Sequence, residues 1–166
     1  MDHDDYPDGF IRDLLGRVRT IAFVGASANW NRPSYFVMKY MQGKGYRVVP
    51  VNPGIAGHEV LGETAYTGLA DIPFPVDMVD IFRNAEAAGP VADEAAALGI
   101  PVVWMQLGVR NDAAAARAEA MGATVVMNRC PKIEYARLFG EIGRQGINSN
   151  VITTKRRAVK PARKLI

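Results

Sequence analysis

The sequence predicts a doubly wound α/β fold, a five-stranded parallel sheet with helices on both faces. Three observations carry that expectation. Short apolar runs recur along the chain without the polar alternation of a half-solvated sheet, so each reads as a strand buried on both faces. Each run ends in a polar or glycine-containing exit and is followed by residues at helical spacing. The interval between successive main strands holds a crossover segment, which parallel pairing requires.

Taken in order, Phe10, Ile11, Leu14, Leu15 and Val18 predict an amphipathic lead-in helix over about 9–19. Ile21-Ala22-Phe23-Val24 is the first strand, and it stops at Gly25. Pro33 suits the first turn of the next helix, whose buried stripe is Phe36, Val37, Tyr40 and Met41 and whose end is Gly43 or Gly45. Tyr46 to Val51 is the second strand, stopped by Asn52-Pro53-Gly54. Residues 57–62 read as a loop with one small turn at most, and 67–72 as a short helical turn. Val76 to Phe82 is the third strand, with Arg83-Asn84 at its exit. The Ala-rich stretch from Glu86 to Leu98 is a helix closed by Gly99, and Pro101 to Met105 is the fourth strand. Asn111 or Asp112 caps a second Ala-rich helix that runs to Met121. Ala123 to Met127 is the fifth strand, Asn128-Arg129-Cys130-Pro131 its exit loop, and Ile133 to Ile142 the last helix. Right-handed crossovers and a reversal after the third unit predict the order 3-2-1-4-5.

A chain of 166 residues fits one domain and can bury roughly 68–70% of its unfolded surface. Its 49% apolar and 22% charged residues are those of a globular protein. No apolar run approaches the roughly 20 residues of a membrane span. The start, Met1-Asp2-His3-Asp4-Asp5, is acidic and unlike a secretory signal, and the single cysteine, Cys130, forms no internal disulfide. A reducing cytoplasm is the expected location. The formal net charge of +3 is misleading, because Lys155, Arg156, Arg157, Lys160, Arg163 and Lys164 crowd the end of the chain. Without them fourteen basic residues face seventeen acidic ones. Residues 1–146 are therefore expected to form the domain and 147–166 a basic, disordered tail. That tail lacks aromatic interleaving or a nucleic-acid motif, so no nucleic-acid partner is expected.

The chemistry is expected at the carboxyl ends of the strands, where ligands of such sheets bind. Gly25, Ala26 and Ser27 join the first strand to a helix. A small-residue loop ahead of a helix N-terminus suits a phosphate, and Arg32 adds a planar cation. The other exits contribute Asn52, Arg83, Gln106 and the Asn128-Arg129-Cys130 run. His58 lies in a loop with no nucleophile beside it and reads as a surface residue. The first loop has one glycine where a dinucleotide fold wants Gly-x-Gly-x-x-Gly, and the second strand ends in neutral Asn52 where NAD wants an acid. NADP, or another adenine nucleotide carrying an extra phosphate, fits better. Cys130 has two readings, a reactive thiol beside Arg129 and Lys132 or a partly buried filler.

Val24-Gly25-Ala26-Ser27, Arg32-Pro33-Ser34, Val49-Pro50-Val51-Asn52-Pro53, Val79-Asp80-Ile81-Phe82-Arg83, Trp104-Met105-Gln106-Leu107-Gly108 and Asn128-Arg129-Cys130 follow one another over roughly residues 10–143. In that order and spacing they resemble the small stand-alone CoA-binding proteins, which are similar to the CoA-binding domain of the succinyl-CoA synthetase alpha subunit. The resemblance implies a Rossmann-like domain that binds coenzyme A or an acyl-CoA. It places Gly25, Ala26 and Ser27 at the diphosphate with Arg32 nearby, Asn52 and Pro53 beside the adenosine, and Phe82 and Arg83 on the next wall. Gln106 and Cys130 complete the candidate set from their strand exits. Where the synthetase carries a lysine after its Pro-Gly, this chain has Ile55. The synthetase's phosphohistidine lies in a further domain to which nothing here corresponds. The resemblance thus implies a CoA-binding module, a sensor or an accessory subunit, without its own catalytic machinery. The alternative is an enzyme, either an NADP-dependent oxidoreductase or a thioester enzyme using Cys130.

Overall fold

The computed structural model describes residues 2–140. The tail expected over 147–166 and the last residues of the final helix lie outside them. Thirteen-residue α3 is the longest of five helices among the described residues, and none is long and apolar enough to cross a membrane. The elements are α1 (Asp8–Arg17), β1 (Thr20–Val24), α2 (Pro33–Gly43), β2 (Arg47–Val51), β3 (Glu59–Val60), β4 (Glu63–Thr64), β5 (Met78–Ile81), α3 (Ala85–Ala97), β6 (Val102–Met105), α4 (Asp112–Ala120), β7 (Thr124–Val126) and α5 (Pro131–Leu138).

The main sheet is parallel, in the order β2-β1-β5-β6-β7. Helices cover both faces, as a doubly wound fold requires. The place beside β2 expected for a third strand is held by a single bridge, Val51 to Tyr66. Tyr66 donates its N–H to the Pro50 carbonyl and accepts from Asn52, both at 2.9 Å. With that bridged segment counted third, the sheet follows the 3-2-1-4-5 pattern, with β5 fourth and β6 fifth. The third strand expected over 76–82 forms as β5, Met78–Ile81, and pairs directly with β1. Counted without the bridge, the five expected strands lie 2-1-3-4-5.

A second difference lies at 59–64, where a loop was expected and a short antiparallel hairpin forms. Its two-residue turn puts both Leu61 (φ 56°) and Gly62 (φ 80°) in the left-handed region, the geometry that matches strand twist. Leucine is a poor signal for it, and its cost is offset by packing: Leu61 lies against the core and its carbonyl accepts from the Gln42 side chain at 2.7 Å.

Alternation along the strands divides the core in two. Ile21, Phe23, Met78 and Trp104 face α1, α2 and α5, where Leu14, Leu15, Met38 and Met41 close the layer. Ala22, Val24, Val79, Ile81 and Val103 face α3 and α4, whose buried stripes are alanines. Each fully buried large side chain contributes about 1.5–3 kcal/mol. The small alanine surfaces let α3 and α4 pack closely, and Asn111 ties their starts together. Its Oδ1 accepts from Ala114 N at 3.0 Å while its Nδ2 donates to the Ala85 carbonyl at 2.9 Å.

Candidate functional site

The carboxyl ends of the strands open into a cleft of about 960 Å³. It runs from the exit of β2 to that of β7, four strand spacings or about 19 Å. Gly25 turns the chain out of β1 at φ 87°, and a Cβ there would stand 2.4 Å from the Phe82 carbonyl oxygen. What comes close at Gly25 is thus the neighbouring exit of β5, which lets the two loops lie side by side. The Gly25 and Ala26 amides both donate to the Val51 carbonyl, at 2.9 and 3.4 Å. Ser27 accepts from Asn29 N through its hydroxyl at 3.1 Å, an ST turn that shapes the approach to α2.

Asn52 fastens this loop from the β2 side. Its Nδ2 donates to the Ala26 carbonyl at 2.7 Å and its Oδ1 accepts from Gly54 N at 3.0 Å, so both ends of the amide are committed. Arg32 and Arg83 are exposed and line the cleft, one just before α2 and the other after β5. Neither guanidinium has a hydrogen-bond or ion-pair partner among the described residues. No carboxylate lines the cleft among the described residues.

The floor toward β6 and β7 is a buried polar set. Asp80, on β5 between Phe23 and Trp104, is fully buried. The Gln106 Nε2 donates to its two oxygens, at 3.1 and 2.9 Å, while the Gln106 Oε1 accepts from Leu107 N at 3.2 Å. Burial holds the Asp80 carboxyl well above the usual carboxylate range, with the Gln106 bond opposing more weakly. Cys130, 6% exposed, stands immediately before α5 and lines the cleft beside Gln106. Burial pushes its thiol up, an ionised Asp80 would add to that, and the amides of Ile133 and Lys132 and the Gln106 side chain pull the other way.

Of the residues expected from sequence, Gly25, Ala26, Ser27, Arg32, Asn52, Phe82, Arg83, Gln106 and Cys130 meet in this cleft. Pro53 does not. It lines a separate hollow of about 230 Å³ over the other face of the sheet, with Val24, Val51 and Leu69, and Arg83 borders both. Ala26 is fully buried, so its part is to fit under the loop. His58 is exposed, away from the cleft. Three residues quoted in the sequence without a role acquire one in the structure: Ser34, buried in the first turn of α2; Asn84, whose Oδ1 caps α3 by accepting from Ala87 N at 2.8 Å; and Asp80. Asp80 alone carried a visible signal, a charged residue inside a strand otherwise apolar on both faces.

Comparison with known proteins agrees with this fold. An uncharacterized Bacillus subtilis protein, YneT, is 40% identical over 126 residues, which span 76% of this chain and 92% of that one. A hypothetical protein from Pyrococcus horikoshii superposes with a TM-score of 0.78 at 38% identity, over 84% of this chain and 97% of its own. A Thermus thermophilus protein matches with a TM-score of 0.77 at 38% identity, over 81% of this chain and 100% of its own. The CoA binding domain model matches residues 19–136. That span takes in β1 to most of α5 and every lining residue of the cleft, and the chain belongs to the CoA binding domain family.

Proposed function

We propose that the cleft binds coenzyme A or an acyl-CoA, and that the chain is a binding protein without its own catalytic machinery, a sensor or an accessory subunit of a larger CoA-dependent enzyme. The observation that carries this reading is the charge of the lining: two arginines without partners, Arg32 and Arg83, and no carboxylate among the described residues. Such a site favours a ligand with several phosphates. It offers nothing to hold a ribose diol, because the β2 exit carries Asn52 with its amide already committed. Membership of the family supports coenzyme A among the nucleotides that satisfy these conditions. Since the Gly25 and Ala26 amides are spent on Val51, the diphosphate is held further along, from Ser27 to the start of α2, where helix amides and the positive end of the dipole add to Arg32.

Two features favour binding over chemistry. Burial favours the protonated form of the Cys130 thiol, the reverse of what a thioester nucleophile needs. Gln106, the polar group beside it, neither takes nor gives a proton at neutral pH. Calorimetry with CoA, dephospho-CoA, NAD and NADP tests the reading. CoA should bind most tightly, dephospho-CoA more weakly for want of one phosphate, and NAD weakest. Tighter binding of NAD than of CoA overturns it.

A further inference from the structure

We infer that the N-terminal segment 3–8 is a strap that positions the β6–β7 end of the cleft, with Tyr6 as its central positioning residue. The inference rests on the CoA reading above and adds to it which part of the ligand the strap serves. Tyr6 is 5% exposed although it precedes the first helix. Its hydroxyl accepts from Met127 N at 2.8 Å, across 121 residues of sequence, at the exit of β7. The Arg129 guanidinium lies 5.3 Å from the centroid of its ring. His3 braces the same hydroxyl through Nδ1 at 2.8 Å and reaches Glu119 of α4 through Nε2 at 3.4 Å. Asp4 pairs with Arg110, in the connection between β6 and α4. One short segment therefore grips both connections at this end of the sheet.

Those two connections are also sewn to each other. The Asn128 Oδ1 accepts from Gly108 N at 2.7 Å, and Asn128 N donates to the Val109 carbonyl at 3.0 Å. The Trp104 indole donates to the Arg129 carbonyl at 2.8 Å. Gln106, Leu107, Val109 and Cys130 ride on the unit so formed and wall the cleft. Sheet order sets this end about 19 Å from the β2 exit. With phosphates beside Arg32 and Arg83, the thiol-bearing arm of CoA lies along the wall the strap holds. The strap precedes the span matched by the family model, residues 19–136.

The test uses the full chain and two probes, CoA and adenosine 3′,5′-bisphosphate, which lacks the arm. Tyr6→Phe keeps the ring and removes the acceptor for Met127 N. By calorimetry it should weaken CoA roughly five- to tenfold and leave the bisphosphate within about twofold. Amide exchange at Leu107–Val109 and Asn128–Cys130 should quicken. Asp4→Ala, at an exposed position that does not endanger folding, should cost CoA alone about twofold, and it decides the matter if the first variant does not fold. Unchanged CoA affinity in both variants overturns the strap, and so does an equal loss for both probes, which marks a general loosening. Failure of the wild type to bind either probe is a separate outcome that sinks the CoA reading itself, and the strap's role with it.

Discussion

Replacing Asp80 with asparagine should make the stability of the fold less dependent on pH, with a sign set by burial. Asp80 is fully buried on β5 between Phe23 and Trp104, and burial raises its carboxyl well above the usual carboxylate range. Such a group binds its proton more tightly in the folded chain than in the unfolded one, where it titrates near 3.9. Its contribution is therefore fully present below about pH 3.9 and is lost as pH rises toward and through the native value. Each pH unit between the two values is worth about 1.4 kcal/mol. Asparagine has the same shape, keeps an oxygen for the Gln106 Nε2 and does not titrate. Urea unfolding of wild type and Asp80→Asn at pH 4.5, 5.5 and 6.5 measures the difference, from which groups common to both chains cancel. The variant should gain on the wild type with each step, by up to about 2.8 kcal/mol over the two units. A difference that stays flat or falls with pH would refute the reasoning, because it would mean that Asp80 is ionised in the fold.

Gly25→Ala should destabilise by about 3 kcal/mol or more, since its Cβ would stand 2.4 Å from the Phe82 oxygen at φ 87°; Gly45→Ala, at φ 93° with nothing within 4 Å, should cost only about 1 kcal/mol. Equal costs in urea unfolding would show that conformation alone, and not the approach to Phe82, matters at Gly25. Arg32→Ala and Arg83→Ala should each weaken CoA by roughly 1.5–3 kcal/mol, less at high salt than at low; calorimetry at two ionic strengths checks both, and loss independent of salt counts against a phosphate contact. Wild-type protein should release no CoA from acyl-CoA above background in a thiol-trapping assay, and Cys130 should alkylate more slowly at neutral pH than a free cysteine. Multiple turnovers that vanish in Cys130→Ser would make the chain a thioester enzyme.

The main strands were legible because each is apolar on both faces, and nothing but a buried parallel strand explains a run such as Ile21 to Val24 between a polar turn and a glycine. The helices were legible for the same reason at a different period, and Asn111 and Pro33 marked their starts. What failed was structure whose signal is tertiary. Tyr66 bridges β2 through a single residue, two positions after the short strand β4, too brief a run to stand out in the sequence, and the third strand was placed at 76–82. The turn at Leu61-Gly62 is held by burial and by Gln42, neither of which is written locally. At the site, strand exits converge by topology, so residues placed at exits met in one cleft. Their roles did not follow from position: Asn52 fastens a loop, and Pro53 turns to the other face.

Asp80 links the two halves of that lesson, because what keeps the sheet stable also sets the field in the cleft. A carboxylate beneath a phosphate site works against it: at 10 Å and an effective dielectric near 20, two unit charges repel by about 1.7 kcal/mol. Desolvation at the centre of the sheet disfavours that charge, since neither of the neighbouring strands at its register, with Phe23 and Trp104, offers a cation. Gln106 satisfies the carboxyl with hydrogen bonds and adds no charge of its own. With Asp80 neutral, the polar set under the cleft contributes no negative potential to oppose Arg32 and Arg83. An acid that looks from sequence like a liability in a buried strand is then compatible with an anion overhead. Stability and binding are thereby linked through one group: a pH at which Asp80 ionises should be a pH at which both the fold and its hold on a phosphorylated ligand weaken together.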